Sequence, residues 1–206
     1  MVRRYYDKPL DADERNPFRC QGFLRDGLIR RRDGGEMPIQ ALPAFLRALL
    51  VTDGTVTKIL EAYFWEPVEV QTLQQEFVTA ERPVPWIEVD AEDEVLIRRA
   101  RLIGVDSGRV YASAFSVIRT QLIPKTFRQR LIDREIGIGV LIRDSGMESY
   151  REVLEVGIDP TEQDGDTGAP MREELVFRTY RIISDGQPVI LITESFPLDL
   201  YRGSVL

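Results

Sequence analysis

The chain has 206 residues, with 27 Lys and Arg against 34 Asp and Glu, a formal charge of −7 and no histidine. The missing histidine excludes Ser-His-Asp and Cys-His catalysis, histidine zinc sites and facial-triad iron, and the single Cys20 excludes a cysteine metal cluster or a disulfide framework. The acidic balance argues against general nucleic-acid binding, no apolar run approaches the ~20 residues of a membrane-spanning helix, and Met1 to Lys8 lack the apolar stretch of a secretion signal. With one cysteine, the cytoplasm is the expected compartment. Proton chemistry then falls to carboxylates, tyrosines, arginines or the three lysines, Lys8, Lys58 and Lys125.

In chain order, residues 1–37 are polar and charge-rich and end in Arg30-Arg31-Arg32-Asp33-Gly34-Gly35. They read as an N-terminal extension, followed by one domain over 38–206. Ile39, Leu42, Phe45, Leu46, Leu49 and Leu50 recur at helical spacing, which predicts an amphipathic helix over 38–51. Asp53-Gly54 breaks it, and Asp53 or Thr55 caps a second helix carrying Ile59, Leu60 and Tyr63. Residues 68–79 are strand-like, and 94–104 and 109–120 flank the turn Asp106-Ser107-Gly108. Pro124 starts a helix ending near Gly137-Ile138-Gly139. Residues 150–158 read as a strand and 160–172 as a mobile loop. Residues 174–184 and 187–198 flank Asp185-Gly186, a strong hairpin dipeptide. About six strands joined mainly as hairpins, with helices in front and in the middle, predict an α+β fold with a mainly antiparallel sheet.

Strand side chains alternate between faces. Arg98 therefore shares an apolar face with Leu96, Ala100 and Leu102, while Arg99 and Arg101 point away. Glu194 lies on a row with Ile190, Ile192 and Phe196, and Arg178 on a row with Val176, Tyr180 and Ile182. A charge removed from water is costly unless paired. One explanation is a structural ion pair of Glu194 with Arg98 or Arg178. The other is a pocket in which arginine holds a ligand carboxylate and Glu194 moves a proton. Two further steps carry the same double reading. Gly137-Ile138-Gly139 is either a helix break or a close approach of backbone N–H groups to an anion. The start of the second helix, at Val56, is either a cap or a carboxylate receptor.

The ordered set Leu49-Leu50-Val51-Thr52-Asp53-Gly54-Thr55-Val56-Thr57-Lys58, the Arg98 strand, Gly137-Ile138-Gly139, Tyr150 to Gly157, and Gly186-Gln187-Pro188-Val189-Ile190-Leu191-Ile192-Thr193-Glu194 resembles the chorismate pyruvate-lyase family. The resemblance runs from about residue 40 to about residue 201. It implies a six-stranded antiparallel sheet with helices on one side, and cofactor-free elimination of pyruvate from chorismate to give 4-hydroxybenzoate. It also implies site roles. Arg98 binds the ring carboxylate, Glu194 faces the ring hydroxyl, amides at Ile138-Gly139 help hold the carboxylate, and Val56 lines the pocket. Thr193 is a further substrate-binding candidate, and Arg178 or Arg151 is a candidate for the second carboxylate. The same fold serves as an effector-binding domain of bacterial regulators, so a ligand sensor without turnover and a lyase giving another hydroxybenzoate isomer are the alternatives.

Overall fold

The computed structural model describes residues 2–8, 18–19, 22–23, 27–31, 34–133, 137–146, 148–160 and 174–203. Cys20, Arg32 and, beyond Pro160, the loop expected over 160–172 lie outside the described residues. The strands are β1 (Phe18–Arg19), β2 (Gly22–Phe23), β3 (Leu28–Arg31), β4 (Glu36–Pro38), β5 (Val68–Thr79), β6 (Glu94–Gly104), β7 (Val110–Ile118), β8 (Ser149–Pro160), β9 (Glu174–Ser184) and β10 (Gln187–Pro197). The helices are α1 (Ala44–Val51), α2 (Val56–Phe64), α3 (Lys125–Ile132), α4 (Ile138–Ser145) and α5 (Leu198–Arg202). None of the described helices is long and apolar enough to cross a membrane.

Among the described residues, β1 and β2 pair with each other, and the other eight strands form one sheet in the order β4-β3-β8-β9-β10-β7-β6-β5. The six long strands are antiparallel throughout, as the hairpin signals predict. Asp185 and Gly186 both take positive φ, 51° and 73°, the backbone that a two-residue hairpin turn demands. The expectation of six antiparallel strands is nevertheless corrected. β3 and β4 extend the sheet, and β3 runs parallel to β8, which makes the sheet mixed. These two strands are short and charge-rich, with Ile29 and Met37 as their buried residues, so alternation has too few positions to register.

The helices cover one face of the sheet. Leu46, Leu49 and Leu50 of α1 and Val56 and Leu60 of α2 pack with Leu102, Ala112, Val156, Val176 and Phe196. Phe127 and Leu131 of α3 and Leu141 and Ile142 of α4 pack on the same face, at Leu96, Ile118, Tyr180, Ile182 and Ile190. The two helix pairs stand side by side and leave a gap between them. The helix expected to end near Gly137 is two helices: α3 stops at Ile132, and Gly137 is the N-cap of α4, which runs through the glycine step.

The opposite face carries Val95, Ile97, Val117 and Leu191, covered by Val2, Tyr5 and the 3-10 turn Pro85–Ile87 with Trp86. Residues 1–37, expected as an extension, thus contribute to the body of the protein the cover at 2–8, Phe18 of β1 and the edge strands β3 and β4. Tyr5 is fully buried and stacks on Phe115, with ring centroids 5.6 Å apart.

Candidate active site

The gap between the helix pairs opens into a pocket of about 660 Å³, counted out to its mouth. Its floor is the sheet. Register places Arg98, Ser116, Ile192 and Tyr180 in one row across β6, β7, β10 and β9, and Ala100, Ala114, Glu194 and Arg178 in the next. Its walls are the N-termini of α2, with Thr55 and Val56, and of α4, with Ile138 and Gly139. A helix N-terminus leaves its first amides without partners inside the helix and carries a partial positive charge. Two such ends meet at this pocket. The charged side chains lining it, among the described residues, are Arg98, Arg151 and Glu194.

Arg98 is 2% exposed and donates from Nη2 to Thr72 Oγ1 at 2.8 Å. Gln75, its register partner on β5, donates from Nε2 to the carbonyls of Leu131 and Ile132 at 2.9 and 3.1 Å, which ties the end of α3 to the strand beside Arg98. Glu194 accepts on both oxygens. Arg178 Nε donates to Oε2 at 2.8 Å, and the Tyr180 hydroxyl donates to Oε1 at 3.1 Å. Arg178 also lies over the Tyr180 ring, 4.8 Å from its centroid. Burial, then the Glu194 charge, raises the pKa of the Tyr180 hydroxyl, so this group stays a donor. Burial pulls the Arg178 pKa down, but the adjacent Glu194 charge and Tyr180 outweigh it and the net shift is upward.

The arginines also set the helix junction. Arg178 Nη1 donates to the carbonyl of Thr52 at 2.6 Å, and Arg151 Nη1 donates to the carbonyl of Asp53. Thr52 Oγ1 accepts from the amide of Gly54 at 3.1 Å. The turn between α1 and α2 is therefore clamped from the sheet by two strands, and the start of α2 is fixed above Glu194.

The residues expected at the site divide accordingly. Arg98, Glu194, Val56, Ile138, Gly139 and Arg151 line one pocket. Arg178 does not. It is 0% exposed, sits beneath Glu194 and is engaged by that carboxylate and by Thr52, so its expected role as a ligand-binding group is corrected to that of a partner of Glu194. Thr193 is also corrected. Odd positions of β10 face the back of the sheet, where Thr193 Oγ1 bonds the Tyr5 hydroxyl at 2.6 Å and Thr179 Oγ1 at 2.8 Å. The sequence reading had placed Tyr180 beside Arg178 without giving it a role. The hairpin register pairs Glu194 with Arg178 and Ile192 with Tyr180, which brings the phenol to the carboxylate. Among the described residues no group of three or more Cys, Asp or Glu side chains converges to hold a metal ion.

A mixed sheet with paired helices on one face, enclosing a pocket lined by Arg98, Arg151 and Glu194, is an α+β domain. Its fold is similar to that of PhnF from Mycobacterium smegmatis, with a TM-score of 0.55 and 17% identity over 84% of this chain and 75% of that one. The effector domain of the same protein gives a TM-score of 0.53 and 16% identity over 71% and 90%. Residues 50–203 match the family described as chorismate pyruvate-lyase Rv2949c-like. The chain is 32% identical over 168 residues to a chorismate pyruvate-lyase of Mycobacterium leprae, covering 81% of this chain and 80% of that protein. It is 26% identical over 180 residues to one of Mycobacterium tuberculosis, covering 82% and 87%. The chain belongs to the chorismate pyruvate-lyase family.

Proposed function

We propose that this protein is a chorismate pyruvate-lyase that works without a cofactor and releases 4-hydroxybenzoate. The observation that carries this reading is the placement of Arg98 and Glu194, two strands apart, on the floor of one pocket walled by two helix N-termini. The ring carboxylate lies on Arg98, with the first amides of α4 at Ile138 and Gly139 beside it. The ring then extends over Ile192 towards Glu194.

In this elimination one proton leaves the ring carbon that bears the hydroxyl. Its C–H electrons join the aromatic sextet, and the neighbouring C–O bond breaks with its pair going to enolpyruvate. The enolpyruvate takes a proton on its methylene carbon and becomes pyruvate. Aromatisation supplies the driving force, so the reaction needs positioning, charge stabilisation and one proton acceptor. Glu194 is that acceptor. Arg178 and Tyr180 fix both of its oxygens, so its orientation is set before the substrate arrives.

Incubation of the purified protein with chorismate, followed by chromatography, tests the reading. Pyruvate and 4-hydroxybenzoate in equal amounts are expected. Tight binding of chorismate without pyruvate release identifies a ligand sensor instead, and a different hydroxybenzoate identifies a different regiochemistry.

A further inference from the structure

We infer that Arg151 holds the second, enolpyruvyl carboxylate of the substrate and is the residue by which the pocket distinguishes the substrate dianion from the monoanionic aromatic product. The inference rests on the lyase reading and assigns a subsite within it.

The geometry across the sheet carries the argument. In the strand order, β10 with Glu194 is the middle of five strands, with β6 and Arg98 two steps to one side and β8 and Arg151 two steps to the other. Four steps at about 4.8 Å put the two arginine-bearing strands roughly 19 Å apart before twist. Both arginines line the same pocket, so two long side chains reach inward from its flanks. The order across the pocket is therefore cation, carboxylate, cation. That is the complement of a molecule with two carboxylates and, between them, a ring that gives up a proton.

Arg178 does not supply the second cation, because it is wholly buried under Glu194 and does not line the pocket, although its Nη2, like Arg151 Nε, has no hydrogen-bond partner among the described residues. Arg151 is half-buried, with Nη1 on the Asp53 carbonyl beside the start of α2. Its buried Nε has no hydrogen-bond partner among the described residues. A buried guanidinium N–H of this kind is costly unless a ligand acceptor meets it. The two cations also differ in depth. Arg98 is 2% exposed on the floor and Arg151 lies nearer the mouth. The carboxylate that departs with pyruvate thus sits at the mouth, and the one that stays with the ring sits deep.

Steady-state kinetics of Arg151→Met, with 4-hydroxybenzoate as competitive inhibitor, tests the assignment. The expected result is a rise of about tenfold or more in KM for chorismate with Ki for 4-hydroxybenzoate within about twofold of the parent value. Arg151→Lys, which keeps the charge, recovers part of the loss, and Arg98→Met raises both constants. The unchanged Ki doubles as evidence that the Arg151→Met pocket is folded. Equal effects of Arg151→Met on KM and Ki, or no effect on either, overturn the assignment while leaving the lyase reading intact. If the parent protein binds both ligands and releases no pyruvate, the lyase reading fails. Calorimetric affinities of chorismate and 4-hydroxybenzoate for the parent and Arg151→Met then decide the Arg151 assignment by the same ratio.

Discussion

Arg178 and Glu194 are direct register partners on adjacent antiparallel strands, and their side chains meet at 2.8 Å with the arginine wholly buried. The pair is the structural ion pair that the strand faces allowed, and its carboxylate member also lines the pocket. Removing one partner leaves an uncompensated buried charge. Arg178→Met is expected to destabilise the fold by about 3 kcal/mol. The double variant Arg178→Met/Glu194→Gln is expected to recover most of this, because no charge is then stranded. Urea unfolding of both single variants and the double variant, read as a cycle, checks it.

Tyr180→Phe removes the donor to Glu194 Oε1 and little else, since the ring stays over Arg178. A hydrogen bond to a charged group is worth about 1.5–3 kcal/mol, so kcat for pyruvate release is expected to fall about tenfold or more. KM should change little, because the phenol orients the proton acceptor and does not hold a carboxylate. Lactate-dehydrogenase-coupled initial rates separate the two constants.

Arg98→Met removes the cation on the pocket floor. Loss of a bidentate charge-assisted contact at a buried site is expected to lower kcat/KM by about 100-fold. Affinity for 4-hydroxybenzoate should fall with it, since substrate and product share the ring carboxylate. Titration calorimetry with the product reads this without turnover.

Glu66 accepts from the Tyr111 hydroxyl and from the amides of Asp106 and Ser107, closing the β6–β7 turn. The Tyr111 hydrogen bond, helped by those of Ser107 and Asp106, lowers its pKa from 4.5 to about 2. A carboxylate with a depressed native pKa contributes stability that is present above about pH 4.5 and lost as pH falls through about 2. Acid unfolding followed by circular dichroism is expected to show this loss, and Glu66→Gln should flatten the profile over that window.

Gly157 sits where β3 meets β8. A Cβ built there lies 2.6 Å from the Phe177 ring and 3.3 Å from the Arg30 carbonyl. Phe177 is buried and carries Arg4 over its face at 4.5 Å. Gly157→Ala is expected to cost about 1–3 kcal/mol by overpacking. A lowered Tm with kcat unchanged is the expected pairing, because the strain falls on the sheet edge.

Long strands with apolar alternation were legible in sequence, and so were the three charges that break it, Arg98, Arg178 and Glu194. Arg98 and Glu194 followed from counting by twos, and β5, β6, β9 and β10 came out within a residue of their observed bounds. What alternation does not carry is register between strands. It put Arg178 on an apolar row without saying that Glu194 lay opposite, and it left Tyr180 without a role until Ile192 was seen to face it. Thr193 shows the converse failure. It is adjacent in sequence to Glu194, and adjacency in a strand means opposite faces. β3 and β4 were missed because one buried side chain each, between arginines and glycines, is no pattern. α4 was missed because a glycine at its start read as a stop rather than as a cap.

Tyr5 reaches Thr193, 188 positions further on, and β3 pairs in parallel with β8, Arg30 opposite Gly157. A parallel pairing needs a long crossover and closes only when distant chain is available. During synthesis residues 2–8 and β3 emerge before β8 and β10, so the surface they cover is incomplete until β10 has been made. These segments thus dock only after strands made later in the chain. Until then, part of the back of the sheet, with Val95, Ile97 and Val117, is apolar surface the nascent chain leaves open.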